Sequence, residues 1–289
     1  MQQIIDKAGV LIEALPYIQK FRGEIVVIKF GGSAMEDKEL TASTMRDIVF
    51  LECIGMHPVV VHGGGKAITA KLKELNIPSH FVNGLRYTCD NTIKVVDNVL
   101  HDEVNSHLID SIEKAGGQGT QISGKKILKA EKLYTHNEEG SKVDIGFVGD
   151  VNNVDICKIL EEIEKNIVPV IPPLALDDNG NVYNINADIA ACKIAEALKA
   201  RKLVFLSDVP GIMRDYKDPE TVISSINIEE VEGLIEEGII SGGMIPKVTS
   251  AVSALKAGTN KVHMIDGRVK HSLLLEMFTD SGIGSEITR

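Results

Sequence analysis

Five short stretches of this chain are nearly continuous in apolar, β-branched residues: 26–30, 58–62, 167–171, 203–207 and 261–265. Runs of this length and character predict strands buried on both faces. Between them lie longer segments with helical patterning, at 38–54, 67–75, 92–114, 153–165, 189–200 and 245–256. Alternation of this kind predicts an α/β fold, a mainly parallel sheet with helices on both sides. The stretch 116–150 reads differently. Its turns are rich in Lys and Gly, and its short alternating runs at 125–130 and 142–148 suggest hairpins forming a flap on one edge. Asp177-Asp178-Asn179-Gly180-Asn181 marks another hairpin. At the N-terminus, Ile4, Ala8, Leu11, Leu15 and Ile18 recur at steps of four and three, a helical seam that needs a docking surface. Pro16 interrupts the seam and is expected to kink the helix. Packing on its own domain is the ordinary destination for such a helix.

Composition narrows the picture. The chain has 289 residues, room for one large or two modest domains, and 44% hydrophobic residues supply a core. No linker or repeat is visible, which favours two lobes sharing one sheet. The net charge of −10 argues against nucleic acid as a general partner. An anionic substrate must therefore be drawn by a local basic cluster. Cys53, Cys89, Cys157 and Cys192 lack metal-ligand or redox spacing, and each lies near apolar residues, so buried free thiols are expected. The N-terminus shows no secretory pattern and no stretch is long and apolar enough to span a bilayer, so a soluble cytoplasmic protein is expected.

Candidate chemistry sits in glycine-rich turns that follow apolar runs. Lys29 ends one such run and is followed by Gly31-Gly32. A second run leads into His62-Gly63-Gly64-Gly65-Lys66. A third turn, Gly242-Gly243, precedes Lys247 by one helical turn, and Asp188 stands near a helix start. Bare backbone N–H groups and helix N-termini bind anions, and lysines offset the charge of a phosphoryl group in transfer. The second turn is not a P-loop, because Ala67 stands where a hydroxyl residue belongs, and Ile68 breaks the dinucleotide fingerprint. Arg86, after the Asn83-Gly84 turn, suits a carboxylate clamp, and Ser207-Asp208-Val209-Pro210-Gly211-Ile212 can line a nucleotide. Each feature also has an ordinary reading: a tight turn, a snorkelling lysine, a helix-dipole partner for Asp188, a surface salt bridge for Arg86. The set together argues for phosphoryl transfer.

In order and spacing, Val27-Ile28-Lys29-Phe30-Gly31-Gly32, His62-Gly63-Gly64-Gly65, Asn83-Gly84-Leu85-Arg86-Tyr87-Thr88, Asn184-Ile185-Asn186-Ala187-Asp188, Leu206-Ser207-Asp208-Val209-Pro210-Gly211 and Gly242-Gly243-Met244-Ile245-Pro246-Lys247 resemble the amino acid kinase family. The likeness runs from about residue 22 to the end and is strongest to members that phosphorylate the side-chain carboxylate of N-acetyl-L-glutamate in arginine biosynthesis. It implies a three-layer α/β/α sandwich. Residues 1–21 would be an oligomerisation and regulatory helix, 22–195 an amino-acid lobe, and 196–289 a nucleotide lobe. It implies Lys29 and Lys247 as lysines on the phosphoryl group, with Asp188 orienting both. Gly64, Gly65, Arg86 and Asn184 would hold acetylglutamate. Gly31, Gly32, Ser207, Asp208, Gly211 and Ile212 would hold ATP, with Mg²⁺ carried on the nucleotide. Arginine-inhibited members resemble the chain in their N-terminal helix, which links dimers into a homo-hexamer. Tyr17, His263, Glu276 and Gly282 resemble their arginine pocket. Some members also bind a PII-type signalling protein, which the motifs neither require nor exclude. The alternatives are a family kinase acting on glutamate, carbamate or UMP, or a non-catalytic amino-acid sensor on the same fold. A sensor is expected to lose Lys29, Asp188 or Lys247, and all three are present.

Overall fold

The computed structural model describes residues 1–136, 140–279 and 282–289, with the backbone alone for residues 2–4 and 7. Its centre is an eight-stranded sheet in the spatial order Ser225–Asn227, Ser285–Thr288, Lys261–Asp266, Lys202–Ser207, Ile25–Phe30, His57–His62, Val168–Ile171, Gly119–Gln121. All neighbours pair in parallel except Lys261–Asp266 with Ser285–Thr288. The five strands expected from apolar runs are the five central ones, buried on both faces because helices cover both.

Strand alternation sends side chains to two cores. Val27, Leu203 and Phe205 join Ala190, Ala191, Val248 and Ala251 of the helices Ala187–Ala197 and Met244–Ala257. Val26, Ile28 and Phe30 join Met45, Ile48, Leu108 and Ile112 of the helices Lys38–Cys53 and Asn105–Lys114 on the other side. The result is an α/β/α sandwich whose central strand, Ile25–Phe30, lies between a strand that follows it at once in the chain and one that comes about 170 residues later. At such a switch point the carboxyl ends of the strands open a crevice.

Several expectations are corrected. The hairpin region is a closed four-stranded barrel, not an edge flap. Leu128–His136 and Lys142–Val154 combine with Leu174–Leu176 and Val182–Ile185. The 125–130 run is split, because Gly124–Ile127 is a helical turn before the strand begins. The helix expected at 153–165 starts only at Cys157, since the preceding strand runs to Val154. The segment 92–114 is one long helix with a π-helical stretch, Val99–Val104, at its middle. Cys53 and Cys157 are exposed rather than buried, because they sit on the solvent side at a helix end and a helix start. Cys192 is buried, and Cys89 is intermediate.

The N-terminal helix Gln2–Phe21 continues through Pro16. Only its last turns dock, through Tyr17 and Phe21, with Tyr17 edge-on to Phe278. Leu11 and Leu15 of the expected seam are 69% and 44% exposed, and Ile5, Val10 and Ile12 are exposed too. Most of this apolar helix thus finds no partner within the described residues of its own chain. Among the described residues no helix is long and apolar enough to cross a membrane.

Candidate active site

Lys29 is next to last in the central strand, and alternation puts its side chain on the face that carries Val27. That face is covered by the helix Ala187–Ala197. Asn186 caps this helix, its side chain accepting from the N–H groups of Asp188 and Ile189 at 2.8 and 3.3 Å. The cap fixes Asp188 in the first turn, where its Oδ1 lies 3.0 Å from Lys29 Nζ. Lys247, in the first turn of the neighbouring helix, brings its Nζ 3.5 Å from Asp188 Oδ2. Three residues from distant parts of the chain thus form one row at the sheet edge.

The row carries one net positive charge in a largely dry place. Burial acts to raise the Asp188 pKa, but the two lysine charges outweigh it and hold the carboxyl below its usual value. Burial and the nearby Lys29 charge lower the pKa of Lys247, against the pull of Asp188. Two cations share a single anion, which leaves positive charge for a ligand.

Glycines shape the approach. Gly32 has φ +73°, and a Cβ there would come within 2.5 Å of Asp208 Oδ1. Gly64 is extended at φ 171°, and its constraint is space, since a Cβ would lie 2.4 Å from Leu100 Cδ2. A cavity of about 250 Å³ opens here, and Lys29, Asp188, Gly64, Gly65, Arg86 and Asn184 all line it.

Arg86 is 6% exposed. Its Nη2 donates to Gly65 O and Thr69 Oγ1, each at 2.8 Å, its Nη1 bonds Ser79 Oγ, and it lies 4.7 Å from the Phe81 ring centroid. All of these partners are neutral. Among the described residues no carboxylate pairs with it, and burial pushes its pKa down. A buried guanidinium without an anion is a site prepared for one.

Just beyond the strand Lys202–Ser207, Asp208 Oδ1 accepts from both the N–H and the Oγ of Ser33 at 2.7 Å. Burial acts to raise its pKa, and the Ser33 bonds with the Lys66 and Arg268 charges lower it overall. Ser207 Oγ donates to main-chain carbonyls. The Ile212 side chain is 1% exposed, in the core, and its N–H is given to Ser285 Oγ at 2.8 Å. Gly211 packs against the same serine. Lys66, after the glycine turn, pairs with Glu36 at 2.8 Å.

A second cavity, of about 370 Å³, lies between the N-terminal helix and the far side of the sheet, and Tyr17, His263, Glu276 and Gly282 all line it. His263 Nδ1 sits 2.5 Å from Glu276 Oε1. Burial lowers the His263 pKa; the Glu276 carboxyl is also lowered, His263 and the Ile283 N–H overcoming its burial. Gly282, at φ +61°, leaves room for Glu276, whose Oε2 a Cβ would meet at 2.8 Å. Lys202, Lys261 and Glu286 also line this cavity and were missed in the sequence. The available signal was a lysine heading each of two buried strands, as Lys29 nearly ends another.

Glycine amides, two lysines bridged by a buried aspartate and an anion-ready arginine, gathered at the switch point of an α/β sheet, define a phosphotransferase. The chain belongs to the Amino acid kinase family, whose model matches residues 24–266, and it is accordingly an enzyme, a kinase. It is 48% identical over 295 residues to the acetylglutamate kinase of Heliobacterium modesticaldum, covering all of both chains. It is 50% identical to that of Thermosynechococcus vestitus, over 97% of this chain and 93% of that one. Among solved structures it resembles the N-acetylglutamate synthase of Neisseria gonorrhoeae complexed with coenzyme A and N-acetyl-glutamate. The TM-score is 0.84 at 25% identity, covering 98% of this chain and 63% of the synthase.

Proposed function

We propose that the chain transfers the γ-phosphoryl group of Mg²⁺-ATP to the side-chain carboxylate of N-acetyl-L-glutamate, a step of arginine biosynthesis. The observation that carries this reading is Arg86, buried, without an acidic partner among the described residues, and lining the cavity that also holds Lys29 and Asp188. It suits a substrate with a second carboxylate to anchor while the first reacts. The two full-length relatives named above support the same acceptor.

In this reading Arg86 and Asn184 hold the substrate and Gly64 and Gly65 bound it. The acceptor is already an anion, so no general base is required, and catalysis reduces to alignment and charge stabilisation. Lys29 and Lys247 face the phosphoryl group in transfer, and Asp188 keeps both lysines in place. Gly31, Gly32, Ser207, Asp208 and the main chain at Gly211 border the nucleotide, whose Mg²⁺ arrives with it. Residues 22–195 form the amino-acid lobe and 196–289 the nucleotide lobe.

Arginine binds in the second cavity, Glu276 taking the guanidinium, and so inhibits the enzyme. The apolar helix of residues 1–21, docked through its last turns, packs on the same helix of another copy, building a homo-hexamer from three dimers.

Coupled ADP release, measured with N-acetyl-L-glutamate, glutamate, carbamate and UMP, each with and without arginine, tests the reading. Turnover confined to acetylglutamate and suppressed by arginine is expected. Preference for another acceptor would sink the substrate, and turnover indifferent to arginine would sink the regulation.

A further inference from the structure

His62 stands between the second central strand and the glycine turn, and the catalytic reading leaves it unused. It is fully buried, as is Asn105, which follows the π-helical stretch Val99–Val104. His62 Nδ1 lies 2.8 Å from the Gly63 carbonyl oxygen. Its Nε2 lies 3.1 Å from Asn105 Nδ2, which also donates to Val170 O at 3.0 Å. Carbonyl oxygens only accept. Val170 O therefore fixes which end of the Asn105 side chain is the amide nitrogen. That nitrogen donates to Nε2, so Nε2 is bare, and Gly63 O requires the proton on Nδ1. The ring is held in one tautomer. Burial lowers its pKa to about 4, so the tautomer persists at neutral pH.

The Gly63 N–H is also engaged, donating to Phe30 O at 2.8 Å. Both polar groups of Gly63 are thus tied to the interior. The peptide that follows is trans, so its carbonyl and the Gly64 N–H point in opposite directions. With the carbonyl drawn to His62, the Gly64 N–H turns away, toward the cavity that Gly64 lines. No protein acceptor takes this N–H among the described residues. On its other side Leu100, from the π-helical stretch, stands where any side chain at position 64 would go. π-helical turns concentrate at functional sites because they re-aim side chains out of helical register.

We infer that His62 is a positioning residue for phosphoryl transfer: with Asn105 it locks the Gly63–Gly64 peptide so that the Gly64 N–H is aimed at the acceptor and phosphoryl oxygens. This rests on the reading of the site given above. His62 touches no reactant and acts through the backbone.

Two substitutions separate this role from packing. Asparagine can place an amide nitrogen near the position of Nδ1, and glutamine can place its amide oxygen near that of Nε2 to accept from Asn105. His62→Asn keeps the donor to Gly63 O, whereas His62→Gln keeps only the link toward Asn105. The expected result is a fall in kcat of about a hundredfold for His62→Gln against less than about tenfold for His62→Asn, with similar unfolding midpoints and little change in KM for ATP. Equal kcat in the two variants overturns the proposal. A neutron structure of the wild-type protein reads the tautomer without any variant: hydrogen on Nδ1 and none on Nε2 is expected, and the reverse overturns the proposal. This second measurement needs no turnover, so a wild-type protein inactive on N-acetyl-L-glutamate would sink the substrate reading alone.

Discussion

Two buried charge clusters lie in this molecule, and they are built differently. At the sheet edge, Lys29, Asp188 and Lys247 meet beside glycine turns. In the second cavity, His263, Glu276, Glu286, Lys202 and Lys261 meet as side chains, with the Ile283 N–H donating to Glu276. The first cluster keeps one carboxylate ionised by two lysines, so Asp188 is charged at neutral pH. The second holds a lysine that burial lowers to about 8, against the pull of Glu276 and Glu286, so its charge changes within a unit or so of neutrality. A site that stabilises a transferring phosphoryl group gains from constant charge in fixed positions. A site made of coupled titratable side chains responds to whatever binds among them.

Removing a charge from the first cluster is expected to have the largest effect. Lys29→Ala should lower kcat by about 10²- to 10³-fold while the protein stays folded, since Lys247 remains to pair with Asp188. A folded Lys29→Ala protein with near-normal ADP release would take Lys29 out of the mechanism and erase the contrast. The second cluster should behave oppositely. Deleting residues 1–20 removes Tyr17 and Lys20 from the cavity wall, so arginine inhibition should be lost while turnover stays within about threefold, since coupling free energies of ~1–3 kcal/mol link such sites. Sigmoidal arginine inhibition persisting in the truncated protein would separate that cavity from regulation.

The smallest effect is on stability, and its sign follows from Lys202. Its pKa is about 8 in the fold against 10.5 ordinarily. Between these values the unfolded chain binds more protons, so this group's contribution to stability rises with pH through that window. Lys202→Met should remove a rise of at most about 3 kcal/mol, read as the difference between variant and wild type in urea unfolding at pH 7.5 and pH 10. Identical pH dependence in the two proteins would show that Lys202 titrates normally.

Much of the molecule was legible along the chain because its signals are local. Buried parallel strands must be short and apolar, glycines must stand where a Cβ has no room, and caps such as Asn186 act within three residues. The five central strands and the turns bearing Lys29, Gly64 and Asp188 follow from this. The hairpin region was read only halfway, because alternation predicts strands and not the partners that close them into a barrel. The helix at 92–114 carried no mark of its π-helical stretch, since one altered turn leaves the apolar spacing nearly unchanged. The exposure of Cys53 and Cys157 also escaped, because apolar neighbours in sequence do not fix which side of a helix faces solvent.

The sequence by itself determined the elements, the placement of glycines and lysines at strand ends, and the family likeness those motifs carry. Only the tertiary structure decided that Lys29 and Lys247 share Asp188, that Arg86 is buried among neutral partners, that the Ile212 side chain lies in the core and that Lys66 pairs with Glu36. It also decided that His62 is held in one tautomer by Asn105. Each of these joins residues far apart in the chain. Such contacts, and the charge states that burial imposes on them, exist only once the sheet has brought its distant strands side by side.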